Sequence, residues 1–283
     1  MADLPVNLSA ATRTNLLALT KTTSLIGKTQ ERLSTGLKVN SAIDNAISFF
    51  QARSLNDRAT DLKNLKDDID IGVSTLETAV SGIETIQSIV SQMKGLALAA
   101  KSDADAVNRS KAAIQFNDLR GQLDNLANDS SFRGTNLIKG GNNNLKVAFS
   151  EDGSSTLTVT GIASDSSGLS LAVAAGNFAT DANIDTAIND LDSALTTLRS
   201  TASSLGTNAA VMSLRLDFTS NLINSLEGGA GKLVNADLNA ESAALLTLQT
   251  RQQLGTIGLS IAQQSEQSLS LIHIFEPTRR RGI

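Results

Sequence analysis

Read in steps of seven from Leu55, the chain gives Leu55, Leu62, Ile69, Leu76, Ile83, Val90 and Ala97, an unbroken apolar series. Three residues further into each heptad stand Arg58, Leu65, Gly72, Ala79, Ile86, Met93 and Ala100, five of them apolar. A seam sustained this long predicts one long helix lying against a partner of similar length. The positions between, among them Asp57, Asp61, Lys63, Lys66, Asp67, Asp68 and Asp70, form the wet face. A second seam runs Ile184, Ile188, Leu191, Leu195, Leu198, Ala202, Leu205, Ala209, Met212, Leu216, Thr219, Ile223, Leu226, in alternating steps of four and three. It predicts a helix from Asp181 to Leu226, roughly 70 Å long, with Asp181 as N-cap and Glu227-Gly228-Gly229 as its stop. Between them, Ala106 to Leu126 reads as a shorter amphipathic helix with Ile114, Leu119, Leu123 and Leu126 inward.

Composition agrees with narrow seams. Of the 283 residues 41% are hydrophobic, yet only 3% are aromatic, with no Trp and no Tyr. A thick round core leans on aromatic area, whereas long packed helices do not need it. The absence of Cys excludes a disulfide framework, a thiolate metal site and a cysteine nucleophile. A net charge of −4 argues against a nucleic-acid binder, which would carry a basic stripe. No apolar run approaches a membrane span. The opening Met1-Ala2-Asp3-Leu4-Pro5 lacks the features of a secretory signal, so composition alone predicts the cytosol.

From Ser130 to Thr180 the chain turns rich in Gly, Ser and Asn, and its apolar period falls to two: Leu145, Val147, Phe149; Leu157, Val159; Leu169, Leu171, Val173. With Glu151-Asp152-Gly153 as a turn, two or three short strands are expected. Both ends return to helix, residues 4–35 with Leu8, Leu16, Leu19, Ile26 and Leu33, and 237–262 with Leu238, Leu245, Leu246, Leu248, Leu254, Ile257 and Ile261. These stripes are thin, so the two arms need each other or other copies of the chain. The fold class expected is mainly α: an elongated antiparallel helical bundle or coiled coil with paired terminal helices and a small central β-hairpin region.

Catalytic chemistry finds no footing. The only His, His273, has no nucleophile or triad-like neighbourhood. Asp67, Asp68 and Asp70 lie on a helix face rather than on a turn that converges oxygens on a cation. Gly228-Gly229-Ala230-Gly231 lacks the Lys-Ser/Thr and preceding strand of a phosphate loop and reads as a hinge. Asn-x-Ser triplets at Asn7, Asn108 and Asn128 carry little information. No enzyme, cofactor or metal is expected.

Two segments carry a resemblance. Glu31-Arg32-Leu33-Ser34-Thr35-Gly36-Leu37-Lys38-Val39-Asn40-Ser41-Ala42-Ile43-Asp44-Asn45-Ala46 resembles the N-terminal signature of bacterial flagellins. Asp237-Leu238-Asn239-Ala240-Glu241-Ser242-Ala243 and Leu248-Gln249-Thr250-Arg251-Gln252-Gln253-Leu254-Gly255-Thr256 resemble the family's C-terminal signature, and Ser204-Leu205-Gly206 also fits. The likeness is to short flagellins of alphaproteobacterial type. It implies a filament subunit that turns motor torque into thrust, with 1–45 and 232–268 as arms of an inner tube. It also implies an outer-tube helical domain built from 46–138 and 181–231, with a β-hairpin region at 139–180.

The same likeness implies that Glu31, Arg32, Leu33, Gly36, Leu37, Asn40, Ser41, Asp44, Leu248, Gln252 and Gln253 serve assembly. Export would use the flagellar type III route without a cleaved signal, placing the protein outside the cell and overriding the cytosolic reading. Implied partners are other copies, an export chaperone, the filament cap and hook–filament junction proteins, with no nucleic acid and no membrane. Where the family's receptor-recognition helix typically carries Arg-x-Arg-Glu-Leu, this chain has Gln92-Met93-Lys94-Gly95-Leu96. Gln92 and Gly95 remove two charges, so it is expected to be a weak ligand of the innate flagellin receptor. The rival readings are a hook–filament junction protein and a soluble coiled-coil binding module. Finally, residues 269–283 break the pattern, carrying the sole His, Pro277 and the triplet Arg279-Arg280-Arg281. Leu269-Ser270-Leu271-Ile272-His273-Ile274 followed by Glu276-Pro277-Thr278-Arg279 resembles a translated transposase-type sequencing adapter, and the tail is expected to be foreign.

Overall fold

The structure is a computed structural model that describes residues 10–141 and 143–274. In chain order it contains α1 (Ala10–Thr35), α2 (Ala46–Ser102), α3 (Ala106–Asp129), β1 (Asn144–Ala148), β2 (Thr156–Thr160), α4 (Asp181–Val234) and α5 (Leu238–Ile274). The chain divides into two compact units. One takes in the chain up to Leu55 and from Gly228 onward; the other is Asn56–Glu227. Both divisions fall inside continuous helices, α2 and α4. The mainly-α bundle with a small hairpin is the class that the periodicity predicted.

In the second unit the seams meet. Ile69, Leu76, Ile83, Ile86, Val90, Met93 and Ala97 of α2 are fully buried, together with Ala113, Leu123 and Phe116 of α3 and Ile184, Leu191, Leu198 and Met212 of α4. Lys63 pairs with Glu227, Lys94 with Asp192 and Lys101 with Asp185. As one number rises the other falls, so α2 and α4 are antiparallel. Two seam residues differ from expectation. Arg58 is exposed and pairs with Glu151 at 2.8 Å; Ala59 takes the inward place because steps of three and four can be met one residue later. Ile114 of α3 faces solvent, and Phe116 turns inward instead, meeting Phe178 edge-on at 5.3 Å.

β1 and β2 pair antiparallel with Val147 opposite Leu157 and Leu145 opposite Val159. The turn between them places Gly153 at φ 69°, and its N–H donates to the Ser150 carbonyl at 3.0 Å. No third strand forms at 169–173. Side chains of α3 take the backbone groups that a strand ladder would use. Asp124 accepts from the Ser166 N–H at 2.7 Å, Arg120 donates to the Leu171 carbonyl at 2.9 Å, and Asn117 accepts from the Ala174 N–H at 3.0 Å. Leu169 and Leu171 are buried without a sheet.

Asp181 is not the cap of α4. Thr180 precedes the helix, and its carbonyl and hydroxyl accept from Asn183 N–H. Asp181 stands one residue later and pairs with Arg109 at 2.7 Å. Nor does α4 stop at the glycines: it runs through Gly228-Gly229-Ala230-Gly231 to Val234, none of these glycines taking positive φ. Glycine in a helix costs about 1 kcal/mol against Ala. Ala230 is buried and the carbonyls of the last turn are used by residues 36–39, described below, so packing outweighs propensity.

In the first unit α1 and α5 pack on each other. Thr23 meets Gln252 and Arg32 meets Glu241, an antiparallel order. The buried positions of α1 are Thr12, Thr22, Ile26 and Thr29, which make a thin seam. Residues 4–9 of the expected N-terminal helix and Phe275–Ile283 of the suspected foreign tail lie outside the described residues. Leu269–Ile274 continue α5.

Candidate assembly site

The N-terminal signature forms the link between α1 and α2. Thr35 ends α1, and Gly36 at φ 73° is the left-handed residue that closes it, its N–H donating to the Arg32 carbonyl at 2.8 Å. The next residues run against the end of α4. Leu37 bridges Asn235, Lys38 N–H donates to the Val234 carbonyl at 2.7 Å, and Ala236 N–H donates to the Gly36 carbonyl at 2.8 Å. Lys38 Nζ reaches the Lys232 carbonyl at 2.8 Å. A short two-chain ladder therefore ties the N-terminal link to the C-terminal one.

The second half of the signature is a turn built on one carboxylate. Asp44 Oδ2 accepts from Asn40 N–H at 3.3 Å, Ser41 N–H at 3.1 Å and Ser41 Oγ at 3.2 Å. Lys28 stands 3.5 Å from its other oxygen. The Ser41 N–H above all, with the Ser41 hydroxyl, Asn40 and Lys28, holds the Asp44 carboxyl below the usual range. Asn45 then caps α2, accepting from Ser48 N–H at 3.0 Å, and Asp237 caps α5 through Asn239 and Ala240.

Between these caps is a cleft of about 420 Å³ lined by Arg32, Lys38, Asp44, Asn45, Asp237 and Glu241. Arg32 Nη1 donates to Glu241 Oε1 at 2.8 Å while its Nε is buried without a partner. Glu31 is exposed and within 3.4 Å of Asn40 Nδ2. Leu33 is half-buried. Leu248 lines a groove between α1 and α5 with Leu25 and Thr29, Gln252 bonds Thr23 at 3.3 Å, and Gln253 is exposed. Both signatures thus meet in one unit. The sequence reading missed Lys28 and the Val234 carbonyl, and it quoted Asn45 and Asp237 within the signatures without giving either a role. An Asp directly ahead of an apolar run is a cap signal that could have found Asp237; a main-chain acceptor leaves none.

In the other unit Gln92 is exposed and Leu96 half-buried, bordering a shallow groove of about 530 Å³ with Gln115, Asp118 and Leu119. Lys94 is engaged with Asp192, and a side chain at Gly95 would meet open space. Asp67, Asp68 and Asp70 are exposed. Among the described residues no three His, Cys, Asp or Glu side chains gather as a metal site, and no helix is long and apolar enough to cross a membrane.

Comparison with known proteins agrees with both signatures. The family model of the bacterial flagellin N-terminal helical region matches residues 6–143, and that of the C-terminal helical region matches 184–272. Flagellin FljM of Caulobacter vibrioides is 36% identical over 271 residues, covering 95% of this chain and 98% of that protein. A flagellin of Brucella melitensis is 32% identical with the same coverage. The crystal structure of Bacillus cereus flagellin aligns at TM-score 0.47 and 20% identity, over 54% of this chain and 88% of that one. On the matches at both ends, the chain belongs to the bacterial flagellin family.

Proposed function

We propose that the chain is a structural subunit that self-assembles into the filament of the bacterial flagellum. One structural observation carries this reading furthest. The α1–α5 pair hides little apolar surface and leaves Leu16, Leu17, Leu25, Leu246, Leu254, Ile257 and Ile261 facing solvent. Fully burying such a side chain from water is worth about 1.5–3 kcal/mol; these, 41–72% exposed, gain a part of that when covered, and further copies of the same pair supply the cover. Neither a hook–filament junction role nor a soluble binding module is favoured by flagellin matches of this length.

Export through the flagellar type III channel, with a chaperone before it and cap and junction proteins after it, follows from that role. So does weak recognition by the innate flagellin receptor, since Gln92 and Gly95 offer neither a guanidinium fork nor a carboxylate. Seeded elongation tests the main reading: purified chain added to short filament seeds should lengthen them above a critical concentration, and a chain that stays monomeric at every concentration contradicts it.

A further inference from the structure

Gly228-Gly229-Ala230-Gly231 reads as a hinge in the sequence and is helix in the structure. Its glycines do not answer to backbone geometry, since none has positive φ. Nor does crowding demand them. A Cβ on Gly228 would meet nothing within 4 Å apart from its own helix, one on Gly229 only Leu55 Cδ1 at 3.6 Å, and one on Gly231 the Asn235 side-chain amide at 2.9 Å. Their remaining effect is to weaken the helix. Each costs about fivefold in helix formation against Ala, on the order of a hundredfold for the three.

Little in the segment itself offsets that. Over residues 227–236 Ala230 alone is buried, and one methyl group hides little area. Asn235 N–H returns to the Gly231 carbonyl at 2.7 Å, but the carbonyls beyond are taken from elsewhere in the chain. Lys232 C=O accepts from Lys38 Nζ at 2.8 Å, and Val234 C=O accepts from Lys38 N–H at 2.7 Å and Val39 N–H at 3.3 Å. A helix end without such partners frays. The division between the two compact units falls at the same place, between Glu227 and Gly228.

We propose that residues 228–234 are a two-state joint, helical while residues 36–39 clasp its end carbonyls and coil when they let go. Closed, α4 continues to Val234 and residues 235–237 lead directly into α5. Open, the glycines lose their helix and α5 hangs from α4 on a flexible tether. The clasp thereby couples the N-terminal link to the course of the C-terminal arm. It belongs to the single chain, so it stands or falls separately from the filament reading.

Hydrogen exchange of the full-length monomer, read by mass spectrometry over residues 228–235, follows the joint. Lys38→Pro removes one N–H and the Nζ, and it suits the extended Leu37 before it. Exchange there should quicken by about tenfold, with none of that change in the buried stretch of α2 from Ile69 to Ala97. Adding Gly228→Ala and Gly229→Ala should restore protection, since the two return about twentyfold in helix formation. Leu37 and Asn235 face each other as a non-hydrogen-bonded pair, flanked by the Lys38–Val234 and Ala236–Gly36 bonds, a spacing that a disulfide spans. The chain has no Cys, so oxidising Leu37→Cys with Asn235→Cys locks the clasp alone. Exchange over 228–235 should then slow, and reduction should reverse it. Exchange that ignores either the proline or the disulfide, or a proline effect that the alanines do not reverse, overturns the proposal. So does a proline effect spread evenly over the whole chain, which would make the segment part of one cooperative unit.

Discussion

At the tip of the hairpin, Asp152 Oδ1 accepts from the Ser154 hydroxyl at 2.8 Å and from its N–H at 3.1 Å. The Ser150 hydroxyl, followed by the hydroxyl and N–H of Ser154, pulls its carboxyl from 3.8 down to about 2. A folded value below the unfolded one means that the turn is fully stabilised above pH 3.8 and loses that support as pH falls toward about 2. Titration of the Asp152 side-chain carbon by NMR should show a midpoint near 2 in the folded chain, moving up when both serines are changed to Ala. The glycines separate by what surrounds them. A Cβ on Gly72 would run into the Met212 side chain and come within 2.8 Å of Val147 Cγ2, so Gly72→Ala sets about 1–3 kcal/mol of overpacking against about 1 kcal/mol of helix propensity gained and should on balance lower Tm. A Cβ on Gly95 would meet nothing within 4 Å apart from its own helix. Gly95→Glu should therefore raise helix stability by about 0.5–1 kcal/mol and increase the response of receptor reporter cells; no gain in that response would contradict the assignment of Gln92–Leu96.

Among the elements, the α1–α5 pair depends on few contacts. Threonines fill three of its four buried α1 positions, against a second unit packed with Ile, Leu and Met. Limited proteolysis of the monomer should cut both arms well before the Asn56–Glu227 unit, and assembly should protect them. Equal resistance in monomer and filament would contradict the thin-seam account. Glu241→Ala leaves Arg32 with no carboxylate partner beside an already unpaired Nε; because the side chain is partly exposed, the expected loss is about 1–2 kcal/mol, seen as earlier cleavage of α5. The long seams were legible because each was repeated many times, so that one misplaced residue such as Arg58 changed nothing. Single-residue signals fared worse. Gly228-Gly229 reads as a stop, yet the ladder from residues 36–39 holds the carbonyls beyond it. The 169–173 alternation reads as a strand, yet Asn117, Arg120 and Asp124 outcompete a ladder. Partners hundreds of residues away or on another helix leave no local trace.

For the whole molecule, assembly and folding of the helical core should separate. Leu33 is half-buried at the end of α1, outside the unit that holds the main core. Leu33→Asp should abolish elongation while the helical signal and Tm of the Asn56–Glu227 unit stay within experimental error. The most direct measurement is electron microscopy of a bacterium whose own flagellins have been removed and which expresses only this chain. The account predicts long filaments on the cell body, composed of this chain by mass spectrometry, and restored swimming. Bare hooks, with the chain exported and folded but unpolymerised in the medium, would contradict it.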